Sequence, residues 1–297
     1  MNIEKRQLGN TGLEVTRIGF GALEIGRNWG VGDAAATQRP DAESAAQVLN
    51  GVLELGVNLI DTASAYHRSE ERIGETLHAR RDEYVLATKC GEYSAEPDTG
   101  YDFSYEGIAR SIDESLRKLR TDCVDILQIH FGPNPQQVLD DGETVRAMKD
   151  AQAAGKAKFL GASPGNDVLP QCIECGDFDV LQIGYSLLDR SADELISRAA
   201  DNGIGVLIRS GLGAGWLTPR VLAVPENERP ENVRALLNVV DGDADKLHEL
   251  ALGFLRAHDG ISSILLGSKN LDNFRRNLEL FQAPHDEELL QRALNVA

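Results

Sequence analysis

Four cysteines in 297 residues are too few to staple a fold. So few thiols in a chain of this length point to a reducing compartment, and the cytoplasm is the expected location. Long apolar runs are missing as well, since none approaches the roughly 18 consecutive residues that a membrane span needs. The start, MNIEKRQLGNTG, has no apolar core of a secretory signal, so export is not expected. Positive charge is scarce: Lys and Arg total 30 against 47 Asp and Glu, a formal net charge of -17. That balance argues against nucleic acid and anionic membrane as partners. No Gly-rich GxGxxG follows the first strand-like run, which counts against a Rossmann sheet. No H-x-H or clustered carboxylate pattern occurs, so no metal site is expected.

What is present is ample apolar material, 42% of the chain, arranged as a repeated alternation. Strand-like runs lie near Val15–Gly21, Asn58–Thr62, Tyr84–Lys89, Val124–His130, Lys158–Ala162, Val180–Tyr185, Gly205–Arg209 and Ser263–Gly267. They are continuous rather than alternating, as strands buried on both faces should be. Helical patterns separate them, with Ala45, Val48, Leu49 and Val52 on one face and Ile108, Ile112, Leu116 and Leu119 on another. Asp41 and Ser69 fall where helix N-caps belong, and Gly56, Gly155 and Gly203 where helices should end. Eight such alternations predict an α/β fold, a (β/α)8 TIM barrel in a single domain spanning 1–297. A long loop at about 216–242, carrying Pro219, Pro225 and Pro230, is expected before the seventh helix.

In such a barrel, chemistry gathers at the C-terminal ends of the strands. The second run ends in Asp61 with Tyr66 just beyond, the third in Lys89 and the fourth in His130. Singly, each has an ordinary explanation: a capping acid, a loop aromatic, a rim ion pair, a buried imidazole. Four at the ends of three consecutive strands form a proton-donating site. A Lys cation beside a phenol favours the phenolate and should lower its pKa, while Asp61 would keep Lys89 charged. His130 would orient a carbonyl oxygen or relay the proton.

These residues sit in recognisable stretches. IDTASAY, LATK and SIDESLRKLRTDCVDILQIH resemble the signatures of the aldo-keto reductase family in order and spacing, and the resemblance runs from end to end. It implies a reductase or dehydrogenase interconverting a carbonyl and an alcohol by hydride transfer with a nicotinamide cofactor. Tyr66 would be the general acid/base, Asp61 and Lys89 would tune it, and His130 would position the carbonyl. His67 falls outside that tetrad, as a loop residue or cavity wall. Rival readings are a cofactor-binding sensor with negligible turnover and a metal-dependent barrel enzyme.

The same resemblance implies a cofactor track. Ser163 and Gln182 match the residues that hold the carboxamide, with Pro164 where Asn is common. LIRSGLGAGWL matches the belt around the pyrophosphate, with Ser210, Leu212, Gly213 and Gly215, and Arg209 stands where a ring often stacks on the nicotinamide. GSKNLDNFRRN matches the adenosine-phosphate segment, with Gly267, Ser268, Lys269, Asn273 and Asn277. Arg276 occupies a position that is usually acidic. Lys269 and Arg275 facing a 2′-phosphate would make NADP(H) the preferred cofactor, with NAD(H) also accepted. The DFS at the third helix start resembles the branch that includes aldose and galactose-type sugar dehydrogenases. Trp29, Tyr93, Tyr101, Phe103, Phe131 and Trp216 are candidate walls for a small-molecule carbonyl or alcohol substrate. Cys172 and Cys175 read as small apolar residues of an outer helix, and Cys90 as no nucleophile. A monomer or weak homo-oligomer is expected.

Overall fold

The computed structural model describes residues 3–31 and 37–296. Eight strands form a closed, all-parallel barrel: β1 Ile18–Gly21, β2 Leu59–Asp61, β3 Val85–Cys90, β4 Val124–His130, β5 Ala157–Ser163, β6 Val180–Gly184, β7 Gly205–Arg209 and β8 Ser263–Leu266. Each pairs with the next, and β8 closes on β1. The chief helices are α1 Ala42–Glu54, α2 Ser69–Leu77, α3 Tyr105–Leu119, α4 Glu143–Ala153, α5 Leu169–Glu174, α6 Asp193–Asp201, α7 Ala244–Ala257 and α8 Leu271–Gln282. The architecture is the single-domain (β/α)8 barrel that the alternation predicted.

Side chains alternate in and out along each strand. The barrel interior therefore begins as an apolar layer of Leu59, Ala87, Ile126, Val180, Leu207 and Leu265. A hairpin of Lys5–Gln7 and Glu14–Thr16 plugs the far end and adds Leu8 and Val15 to that layer. Gly9, with φ 54, lets the plug press on β7; a Cβ there would fall 2.3 Å from the Gly205 amide.

Two local expectations are corrected. The run Val15–Gly21 is not one strand. Val15 belongs to the plug hairpin and β1 begins at Ile18, because Arg17 between them is buried and turns its guanidinium to the Arg256 carbonyl and Glu4. Ser69 is the first residue of α2 rather than its cap: its hydroxyl donates to the Ala22 carbonyl at 2.8 Å and accepts from Thr62 at 2.8 Å. Tertiary partners took the oxygen that a cap would have used. Asp41 does cap α1, accepting from the Ser44 amide, and Gly56, Gly155 and Gly203 carry positive φ after their helices. The stretch 216–242 carries short 3-10 turns at Pro219–Ala223 and Glu226–Glu228 and a helix at Glu231–Val239.

Candidate active site

Two residues beyond the apolar layer, the same inward faces present Asp61, Lys89, Gln128, Gln182 and Arg209. Polarity at this depth has to be paired. Lys89 is 0% exposed and spends its ammonium on Asp61 Oδ2 (2.6 Å), the Thr62 carbonyl (2.9 Å) and the Tyr66 hydroxyl (3.4 Å). The other oxygen of Asp61 accepts from the side-chain amides of Gln128 (3.0 Å) and Gln182 (2.8 Å). Burial opposes the charge on Lys89, but Asp61 and Tyr66 outweigh it and hold the ammonium above its ordinary pKa.

Tyr66 rides on the loop after β2. Ser64 in that loop lies within bonding distance of the carbonyls of Lys89 (3.0 Å) and Glu92 (2.5 Å), which ties the loop to the end of β3. On its other side the loop packs on Gly26, where a Cβ would fall 2.1 Å from the Tyr66 carbonyl. Burial raises the Tyr66 pKa. Lys89 acts in the opposite direction and is outweighed, with Asp61 adding to the rise. The lowered phenol pKa expected from the Lys cation is therefore reversed, and burial favours the protonated, donating form of the tyrosine.

His130 closes the group, its ring edge-on to Tyr66 with centroids 5.9 Å apart. Its Nδ1 lies 2.9 Å from Glu92 Oε2, in a bent approach that is not a well-aligned hydrogen bond. Burial lowers the His130 pKa, Lys89 adds to the fall and Glu92 opposes it. Glu92 comes from a hairpin of Glu92–Ala95 and Asp98–Tyr101 that follows β3. Burial disfavours its charge, but His130, Thr99 and Arg27 together hold it below the usual carboxylate range.

Tyr66 and His130 open into a cavity of ≈ 830 Å³. Its lining includes Asp61 and, among the residues expected to hold a cofactor, Ser163, Gln182, Arg209, Ser210, Leu212, Gly215, Gly267, Ser268, Asn273 and Asn277. Gly213 and Lys269 are not in the lining: Gly213 turns against Leu188, and the Lys269 ammonium donates to the Gln38 carbonyl at 2.7 Å. Gln182 has committed its amide protons inward, so only its carbonyl oxygen is left for the cavity. Arg209 donates to the carbonyl of Pro164 at 3.2 Å. From Ser210 to Gly215 the chain takes positive-φ conformations at Ser210, Gly213, Ala214 and Gly215, and the amides of Gly213 and Gly215 donate back to the carbonyls of Ser210 (2.8 Å) and Leu212 (3.0 Å), which folds the segment into tight turns beside the cavity. Arg276 lines the cavity and pairs with Asp245 at 2.8 Å, and Arg275 pairs with Asp272 at 3.1 Å.

Of the candidate aromatic walls, Trp29 and Phe131 line the cavity. Tyr101 stacks on Phe103 outside it, Tyr93 stays exposed and Trp216 packs on the core. His67 bonds Ser94 at 2.8 Å beside the cavity. Cys90 and Cys172 are free buried thiols whose pKa values burial pushes up to about 12, and Cys175 is a free, exposed thiol.

Sequence reasoning missed Gln128, Glu92, Arg27 and His248, all close to the chemistry or in the lining. Gln128 carried a signal, since it sits two residues before His130 and so shares its face of β4. Glu92 and His248 carried none. His248 is 4% exposed on α7, lines the cavity, and has no well-aligned partner for either ring nitrogen among the described residues. A cavity of this volume, with a buried imidazole that has no aligned partner and a Ser/Gln pair at the positions that match the carboxamide holders, fits a dinucleotide.

The aldo/keto reductase family model matches residues 17–294. L-galactose dehydrogenase of Arabidopsis thaliana is 33% identical, over 97% of this chain and 92% of that protein. NADH-specific methylglyoxal reductase of Escherichia coli is 28% identical over 93% of each chain. The solved holo form of an aldo-keto reductase from Bacillus halodurans superposes with a TM-score of 0.84, at 28% identity over 100% of this chain and 97% of that one. A barrel with this rim and these relatives defines an oxidoreductase of carbonyl and alcohol groups that works with a nicotinamide cofactor. The chain belongs to the aldo-keto reductase family.

Proposed function

We propose that this protein interconverts a polyhydroxylated carbonyl compound, of the aldose or sugar-lactone kind, and its alcohol, with Tyr66 as general acid/base. The observation that carries the reading is the buried chain Asp61–Lys89–Tyr66, with His130 across from it at the cavity mouth. A bound nicotinamide would supply or accept the hydride. The protein does the rest. Tyr66 and His130 hold the substrate oxygen, Tyr66 moves the proton, and the Lys89 ammonium steadies the phenolate left after donation. With a dinucleotide bound, Ser163 and the Gln182 carbonyl would orient the carboxamide, and Ser210, Leu212 and Gly215 would hold the pyrophosphate.

The substrate end mixes Trp29 and Phe131 with Arg27, Glu92 and Asn134. Apolar faces beside a few converging polar groups suit a sugar, and the Arabidopsis relative bears the name of an L-galactose dehydrogenase. NADP(H) is the preferred cofactor in this reading. The Arg275–Asp272 ion pair is exposed, and such pairs are worth about 0–1 kcal/mol, little enough for a 2′-phosphate to replace. NAD(H) remains a working alternative. The net charge of -17 argues against nucleic acid as a partner, and a monomer or weak homo-oligomer in the cytoplasm completes the reading.

Nicotinamide absorbance should be followed with NADPH and NADH separately, over aromatic aldehydes, aldoses and sugar lactones, and in reverse with sugars and oxidised cofactors. Turnover highest on a sugar, with tighter NADP(H) binding that Lys269→Ala weakens, is the expected result. Turnover confined to simple aldehydes would remove the sugar assignment, and equal binding of both cofactors would remove the preference.

A further inference from the structure

His248 lies on α7, outside every stretch that resembles a family signature. It is 4% exposed, and neither Nδ1 nor Nε2 has an aligned hydrogen-bond partner among the described residues. A polar group buried in this way destabilises the protein on its own. The ring lines the cavity, so a ligand there can complete its bonding. Asn277 on α8 stands beside the ring and is itself buried in the cavity wall. The charged groups that face the ring are Arg276 on α8 and Asp245 on α7, which are paired with each other at 2.8 Å. Burial pushes the His248 pKa down to about 4, Arg276 adds to the fall, and Asp245 and Asn277 oppose it. Near pH 7 the ring is therefore neutral, with one N–H donor and one acceptor lone pair in either tautomer.

The place of the ring in the barrel says which part of a ligand it meets. α7 leads into β8 and α8 follows it, and β8 stands opposite β4 in the ring of eight strands. His130 ends β4. A substrate carbon reacts where Tyr66 and His130 hold its oxygen, so a bound nicotinamide would lie there. The α7–α8 end of the cavity is then left to the adenosine half. A phosphate there offers only acceptors and negative charge, which suit the Arg276 guanidinium and not a neutral ring. Adenine presents ring-nitrogen acceptors with an amine donor beside them, the pattern that an imidazole and a carboxamide complement.

We propose that His248 is a binding residue for the purine base of the dinucleotide, acting as an uncharged donor and acceptor beside Asn277 and not as a partner of the phosphates. The inference rests on the dinucleotide part of the function proposed above and is independent of the sugar assignment. The test is calorimetric titration of wild type, His248→Leu and His248→Gln with three reduced ligands: NADPH, NADH and nicotinamide cytosine dinucleotide. The last keeps both pyrophosphate groups and the nicotinamide but carries a smaller pyrimidine in place of the purine. His248→Leu should weaken NADPH and NADH by the same factor, about 3–10-fold, the worth of one uncharged hydrogen bond. It should leave the cytosine dinucleotide nearly unchanged, and His248→Gln, which restores a donor and an acceptor, should recover part of the loss. A loss on NADPH alone would assign the ring to the 2′-phosphate and overturn the proposal. An equal loss on the cytosine dinucleotide overturns it too, as do unchanged affinities or a Gln variant no better than Leu. Should wild type bind none of the three, the dinucleotide reading falls together with this one. Should it bind them and turn over no sugar, only the sugar assignment falls.

Discussion

At the scale of residues, the site depends on charges that are paired before any ligand arrives. Removing one member of a buried ion pair leaves the other uncompensated, at a cost of about 3–5 kcal/mol. Lys89→Met should therefore show a urea midpoint lowered by that much stability as well as lost turnover, and an unchanged midpoint would mean that Asp61 is less isolated than its contacts imply. His248 gives a pH-dependent counterpart. Burial depresses its pKa from 6.5 to about 4, so between those values the unfolded chain binds the proton and the folded one does not. Stability is complete above the unfolded value and declines as the pH falls toward 4, by up to about 3 kcal/mol. His248→Phe should flatten that part of the pH–stability curve; a parallel curve would contradict the assignment. The tetrad positions were legible because each ends a buried run, where a polar residue stands out. Glu92 was not, since its hairpin lies outside the strand–helix repeat and only tertiary packing brings it to His130.

At the scale of elements, the eight strands were legible from continuous apolar runs, and their ends only where nothing competed for a side chain. Val15 and Ile18 look alike in sequence, yet the buried Arg17 between them divides plug from barrel. Ser104 and Ser69 make the same contrast for caps. Ser104 precedes α3 and accepts from the Gly107 amide at 3.1 Å, whereas Ser69 is drawn into the hydroxyl bonds beside the Tyr66 loop. Ser104→Ala should cost about 1 kcal/mol in denaturation and leave kcat alone. Ser69→Ala should lower kcat as well, because the loop it anchors carries the acid. Equal kinetic effects from the two would show that the Tyr66 loop does not depend on Ser69.

At the scale of the molecule, one apolar layer seals the barrel and one polar layer above it holds the chemistry. The seal is supplied by Ile126 and its neighbours, and Ile126→Ala should destabilise by about 2–5 kcal/mol while leaving cofactor affinity intact. The wall of the cavity above includes an ion pair, Glu24 to Arg220 at 3.2 Å, joining the short helix Leu23–Gly26 to the turn at Pro219–Ala223. Neither partner was visible in the sequence, because the contact joins loops far apart in the chain, one after β1 and one after β7, strands separated in the barrel only by β8. The most direct measurement is kcat, with cofactor affinity by fluorescence, for wild type and Tyr66→Phe on one good substrate. A general acid contributes about 10²–10⁴-fold, so kcat should fall by that factor with cofactor affinity unchanged. A Phe variant that keeps wild-type kcat would contradict the account, because the proton would then have to come from another group.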